Sequence, residues 1–195
     1  PAVVVIPDLA GRPTVRVAII GNRIRDVSPA RSSRGGWDTA GIKMILAEDA
    51  RVEGNDIRDT QGAGVFCVHC RSGRIGENRI VANSGAGVIA LRTRASVIAE
   101  NAIETAETAP ALRLVGAHAT VVSRNSLTGA TPVEIRPDDG APEAEACRAA
   151  GYNALEDNLL VPSAGRVSSL VGCASDLERG NRVVGAGERD RLVLG

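Results

Sequence analysis

Residues 75–103 read IGENRIVANSGAGVIALRTRASVIAENAI, and this stretch repeats itself. The element Ile75-x-x-Asn78-x-Ile80 returns 23 residues later as Ile98-x-x-Asn101-x-Ile103, with Gly87-Val88-Ile89-Ala90-Leu91 between the two copies. Outward from here, Asn recurs at Asn22, Asn55, Asn78, Asn101, Asn125, Asn158 and Asn181, at intervals of 33, 23, 23, 24, 33 and 23 residues. Two residues after each Asn stands an aliphatic: Ile24, Ile57, Ile80, Ile103, Leu127, Leu160 and Val183. Three residues before it stand Ile19, Val52, Ile75, Ile98, Val122 and Leu155; only the last copy slips, with Leu177 one place early. The segments are short, β-branched and separated by turn residues, whereas helical repeats of this period need two long amphipathic stretches. The pattern predicts an all-β solenoid of about seven coils, whose Asn residues tolerate left-handed turns and hydrogen-bond from coil to coil as a ladder. At about 4.8 Å per coil the rod is on the order of 30 Å long.

Composition agrees with a thin core. The 195 residues include one Phe, one Trp and one Tyr beside 22 glycines, so aliphatic side chains must fill the interior. Lys+Arg and Asp+Glu stand at 23 each, which argues against a nucleic-acid arm or an acidic tail. Apolar runs are all too short for a membrane span. Pro1 follows no initiator Met or signal-like segment, so the chain is expected to be a processed product or an excised piece. It is read as one domain over 1–195.

The repeated aliphatic-x-x-Asn-x-Ile and Gly-Val-x-x-Leu elements, over about residues 14–185, resemble the right-handed parallel β-helix of the pectate-lyase-like superfamily, with its carbohydrate-binding and sugar-hydrolase repeats. The resemblance implies an extracellular or periplasmic home and a polysaccharide or oligosaccharide partner. It does not select an activity, because this scaffold hosts lyases, hydrolases, epimerases, adhesins and inert modules. The expectation is a carbohydrate-associated module that binds, and in an enzyme would act on, a polysaccharide along its first parallel sheet. The alternative is a non-catalytic structural or protein-interaction module, with a homo-oligomer or neighbouring domains covering its surfaces and the segments Val3–Ile6 and Leu192–Leu194 serving as caps.

The two 33-residue intervals locate insertions at about 28–38 and 137–150, growing from opposite ends of one strand column. In resembling enzymes the substrate groove runs between such loops. Strand parity then selects the residues of that face. One parity stacks Met44, Cys67, Ala90, Arg113 and Glu134 outward, followed by Leu46, His69, Arg92, Val115 and Arg136, and sends Lys43 inward. The other exposes Phe66, Ile89, Leu112 and Val133, and would make the sheet a hydrophobic interface. The first is the more polar and is favoured. It makes His69, Arg92 and Arg113 the candidate catalytic set: a guanidinium neutralises a uronate carboxylate while a neighbouring group removes the adjacent proton, as in a lyase or epimerase. Glu134, Arg136, Trp37 and Tyr152 are the candidate substrate-binding residues, the two rings standing at the insertions. The bland alternative is a solvated face with an Arg113–Glu134 pair across coils.

No cofactor is expected. Asp138, Asp139, Glu143 and Glu145 offer at most a weak calcium site, and no stacked Asp trio of the hydrolase kind stands on the strand column. Cys67-Val68-His69-Cys70 invites zinc, but residues three apart on a strand face opposite ways, which leaves two buried thiols. Cys147 and Cys173 lie 26 residues apart, close to one coil, and suit a disulfide. The glycine-rich turns Gly62-Ala63-Gly64 and Gly85-Ala86-Gly87 precede no helix and are read as repeat turns, not phosphate loops.

Overall fold

At each repeated Asn the chain turns a corner between two parallel sheets, and the amides of successive corners join. In the computed structural model, which describes residues 1–28, 39–106, 108–137, 151–163 and 176–184, each Asn Nδ2 donates to the Oδ1 of the next Asn at 2.8–3.0 Å, from Asn22 through Asn181. The backbone N–H of each Asn donates to the same oxygen. From Asn55 onward, Nδ2 also donates to the carbonyl of the aliphatic residue on the preceding coil, such as Ile75 for Asn101. The rungs from Asn55 to Asn158 are buried. One side chain therefore satisfies several backbone groups that a corner would otherwise bury unpaired.

The residue that takes the left-handed conformation is not the Asn but its predecessor. Gly21, Gly54, Glu77, Glu100, Arg124, Asp157 and Gly180 form this column, with φ between 54° and 69°. Two further left-handed columns turn the other corners: Leu46, His69, Arg92 and Gly116, then Arg16, Asp49, Ser72, Ala95, Ala119 and Tyr152. Most carry a side chain in a conformation that disfavours one, and the stacked hydrogen bonds compensate at every coil.

Between corners run the strands, all paired in parallel. The first sheet stacks Val3–Val5, Ile42–Ile45, Val65–Val68, Val88–Leu91, Pro110–Val115 and Thr131–Arg136. The second sheet has seven strands, running from Ala18–Ile20 to Leu177–Arg179, and the third seven, from Arg23–Arg25 to Arg182–Val183. Between the first sheet and the second, single parallel bridges join successive coils through Glu48, Arg71, Arg94, His118 and Gly151. Inside, the expected aliphatic columns are in place: Ile19, Val52, Ile75, Ile98, Val122 and Leu155 on the second sheet, and Ile24, Ile57, Ile80, Ile103, Leu127 and Leu160 on the third. Among the described aromatic residues none enters this core. Phe66 sits in a separate small cluster with Ala40 and Ala63, and Tyr152 is exposed. Val3–Val5 is the edge strand of the first sheet, with Val4 exposed, while residues 192–194 lie outside the described residues.

The favoured parity of the first sheet is overturned. Met44, Cys67, Ala90, Leu114 and Ile135 pair in register and are buried in the core. The outward columns are Lys43, Phe66, Ile89, Arg113, Glu134 and Ile45, Val68, Leu91, Val115, Arg136. Val88 faces Leu112 rather than Ala111, because the path from Thr105 to Leu112 is two residues longer than that from Asn83 to Val88 and a bulge at Val81–Asn83 cancels only one. A slip of one residue exchanges the two faces of a strand. It leaves Arg113 and Glu134 outward as expected, moves Lys43 outward, and sends Met44, Cys67 and Ala90 inward.

The two buried thiols are also corrected. The strand ends at Val68, and the left-handed His69 turns the chain so that Cys67 and Cys70 both point inward across the corner, where they form a disulfide with Cα atoms 6.1 Å apart. Cys147 and Cys173 lie outside the described residues.

Replacing Asn101 by Ala strips partners from buried groups of Asn78, Asn125 and Ile75, and should cost about 3 kcal/mol or more in chemical denaturation. The same change at the exposed end rung Asn22 should cost less than about 1 kcal/mol. Glu178 provides a pH-dependent counterpart. It pairs with Leu155 in the inward column, and burial pushes its carboxyl above the usual range. Its neutral form is thus favoured by folding: this contribution is present at acid pH and lost as pH rises through the raised value. Glu178→Leu should raise the melting temperature at pH 7 by about 2–4 °C, for a gain of about 1 kcal/mol, and the gain should shrink near pH 4.

Candidate functional site

The outer face of the first sheet holds a groove of about 640 Å³. Phe66, Ile89, Leu91 and Val115 line its floor, and their alternation along paired strands fixes them outward. One rim consists of the turns that enter these strands: Ala40, Gln61-Gly62-Ala63 and Ser84-Gly85-Ala86. These are the repeat turns read in the sequence, and stacked small residues leave the rim low. Arg92, Arg113 and Arg136 complete the lining.

These three arginines lie on three successive coils, since the strands Val88–Leu91, Pro110–Val115 and Thr131–Arg136 are consecutive in the sheet. Arg113 Nε donates to Glu134 Oε2 at 2.6 Å, and Arg136 donates to Glu134 Oε1. The Glu134 side chain is 15% exposed and spends one oxygen on each guanidinium. Arg113 shares the outward column of Ile89 and Glu134, Arg136 that of Leu91 and Val115, and Arg92 stands at the corner one residue beyond Leu91, so the three come from successive coils at different positions across the sheet, with one carboxylate fixing two of them.

The remaining candidates fall around this groove, not within it. His69 is exposed at the corner, directly beneath Arg92 in the left-handed column; its N–H donates to the Leu91 carbonyl, and Arg92 N–H donates to Val115. Tyr152 stands at the next corner, where the chain enters the second sheet, 66% exposed and edge-on to His118 with ring centroids 5.5 Å apart. Trp37 and the acidic stretch Asp138, Asp139, Glu143 and Glu145 lie outside the described residues. Among the described residues no cluster of three His, Cys, Asp or Glu is placed to hold a metal, and no helix is long and apolar enough to cross a membrane. The floor residues Phe66 and Ile89 belong to the parity that the sequence disfavoured, and the rim residues Gln61 and Ser84 escaped the sequence reading. The available signal for the rim was the doubled turn Gly-Ala-Gly, whose preceding residues, Gln61 and Ser84, line it.

A second concentration of charge spans the second sheet. Arg74 bridges Glu53 at 3.2 Å and Glu100 at 3.1 Å, and Arg124 contacts Glu100 at 2.6 Å. The Arg51 hydrogen bond holds Glu53 below the usual carboxylate range, and the Arg124 hydrogen bond does the same for Glu100. These charges satisfy one another on an open face, whereas the groove combines concavity with three arginines among its described lining residues.

A family model described as a right-handed β-helix region matches residues 10–132. The chain belongs to this right-handed β-helix family. No curated protein matches it in sequence. Among solved structures, a mutant of the periplasmic alginate epimerase AlgG superposes with a TM-score of 0.60 at 16% identity, over 87% of this chain and 39% of that one. This β-helix module thus spans about two-fifths of that epimerase, and the likeness establishes a shared fold. QnrB1, a plasmid-mediated fluoroquinolone resistance protein, aligns over 88% of this chain and 91% of its own at 10% identity, but its TM-score is 0.25.

The Arg113–Glu134 pair is partly shielded and makes a charge-assisted hydrogen bond, so a double-mutant cycle with Arg113→Gln and Glu134→Gln should give a coupling of about 1–2 kcal/mol. The corresponding cycle for the more exposed Arg179 and Glu156 on the second sheet should stay below about 0.5 kcal/mol.

Proposed function

We propose that this β-helix module binds an acidic polysaccharide lengthwise along its first sheet. The observation that carries the reading is one arginine from each of three successive coils, Arg92, Arg113 and Arg136, lining a single groove. A polymer with a carboxylate on its repeating units passes one guanidinium at each coil as it runs along the axis, and planar guanidinium groups suit carboxylates. The structural likeness to a periplasmic alginate epimerase supports a carbohydrate ligand and an extracellular or periplasmic home. The Cys67–Cys70 disulfide supports the same location, because such bonds persist in oxidising compartments.

On this reading Glu134 positions Arg113 and Arg136, and Tyr152 belongs to an outer part of the binding surface. Lyase- or epimerase-like chemistry on the same glycan falls to His69, Arg92 and Arg113. The guanidinium groups neutralise the carboxylate, which eases removal of the proton on the adjacent carbon, and His69 is the imidazole stacked one coil from Arg92. Binding is the stronger part of the proposal, because the described groove lining contains no imidazole, amine, phenol or carboxylate. The aliphatic column Ile45, Val68, Leu91 and Val115 favours a second reading, a protein-interaction surface used by a partner or a second copy.

Calorimetric titration with an acidic oligosaccharide and a neutral one of equal length tests the binding. The acidic oligomer should bind with an affinity that falls as salt rises, the neutral one should not bind, and Arg113→Gln should weaken binding by about tenfold. Equal affinity for the two, or no binding of either, removes the acidic-glycan reading. Ultraviolet detection of unsaturated product and deuterium uptake from solvent D2O, each with His69→Ala and Arg92→Ala controls, would separate lyase, epimerase and pure binder.

A further inference from the structure

The outer face of the first sheet is divided along its length. Its early coils present Phe66, Ile89 and Leu91 as groove floor, and its later coils present Arg113, Glu134 and Arg136, with Val115 continuing the floor beside Arg113. An unsubstituted acidic glycan matches only half of this surface. Its hydroxyls would lie over the aliphatic floor, where leaving water without a partner carries a cost. On the rim the polar side chains in the described lining are Gln61 and Ser84, and Ser84 Oγ spends its proton on the Gln61 carbonyl at 2.8 Å. Nor does the floor provide a flat ring for the apolar face of a sugar: Phe66 is 4% exposed and packed against Ala40 and Ala63. What remains is a pitted aliphatic trough bordered by the small residues Ala63 and Ala86.

We infer that the groove takes an acidic glycan bearing O-acyl groups, whose methyl ends sit on Ile89, Leu91 and Val115 while its carboxylates reach Arg92, Arg113 and Arg136. Acylation removes the hydroxyls that the floor cannot satisfy and adds apolar surface that it can cover. The concave floor favours a slender substituted chain over a flat protein face: Ile89, Leu91 and Val115 are each only half-buried, and lie at the bottom of a volume typical of small-ligand sites. The inference rests on the acidic-glycan reading and specifies the ligand of that same groove.

The test compares an O-acetylated oligouronate with the same oligomer after mild alkaline deacetylation, titrated calorimetrically at fixed ionic strength. The acetylated form should bind about fourfold more tightly for each methyl group seated. Ile89→Asn, on the outer face, should abolish that preference. Val115→Thr, nearly isosteric and on the same floor, should reduce the preference and guards against a misfolded first variant. Equal binding of the two oligomers, or tighter binding of the deacetylated one, overturns the acyl inference but leaves the acidic-glycan reading standing. Binding of neither overturns both. Self-association of the free protein that Ile89→Asn abolishes assigns the floor to a second copy and overturns the acyl inference as well.

Discussion

The stacked amide of Asn is the constraint on which the other features depend. Each rung fixes the height and register of one coil on the next, because its Oδ1 receives both a backbone and a side-chain donor while its Nδ2 reaches back to a carbonyl of the preceding coil. Once this corner is locked, residues three before and two after the Asn must point inward from adjoining sheets, and aliphatic columns follow. A shorter polar ladder supports the opposite corner toward the C-terminal end: Asn153 accepts from the Thr120 N–H at 3.0 Å and donates to Asp176. Thr120, Asn153 and Asp176 each lie five residues before a rung of the main ladder. The same corner is apolar or small in earlier coils, at Ala50 and Gly73, so the second ladder strengthens where the coils carry longer connections.

The fold was legible because its determinants sit at fixed offsets from a residue type that rarely recurs by chance. The face was not, because it depends on the exact length of turns that have no such marker. From Asn78 to Asn101 and from Asn101 to Asn125 the spacing changes by one residue, and the sequence does not reveal whether that residue enters before or after the first-sheet strand. It enters before, so Arg113 stacks on Ile89 rather than on Ala90. The Cys67–Cys70 pair was hidden by a related effect. Treating Cys67 to Cys70 as continuous strand separates the two side chains, whereas a left-handed residue at His69 folds them together. Left-handed residues bearing ordinary side chains give little sequence signal, and here they turn three of the corners.

The same geometry explains why candidate site residues were partly recovered despite the parity error. Arg113, Glu134 and Arg136 lie after the irregular turn and within strands whose own alternation the sequence showed, so they were assigned to the outer face. His69 and Arg92 lie one residue beyond their strands, at corners where parity no longer applies. They remain stacked on one another, but point from an edge of the sheet. Alternation is informative inside a strand; at a corner only the local backbone conformation determines direction.

An interior without described aromatic rings has a further consequence for the surface. Narrow coils filled by Ile, Val and Leu keep the core inside the sheets, so outward positions of the described strands are open to other uses, apart from Phe66 and its own small cluster. The second sheet uses that freedom for mutually satisfied ion pairs, Glu53 to Arg74 to Glu100 to Arg124, with no need of a ligand. The first sheet uses it differently: aliphatics that a solvated strand would not choose stand beside arginines sharing a single carboxylate. Scaffold stability explains neither half of this arrangement, since core columns and Asn rungs already hold the coils. A net charge of zero over the whole chain is therefore compatible with a cluster of arginines among the described residues of one groove. On the proposed reading, ligand recognition falls to the outward residues of one sheet, which the repeat does not prescribe.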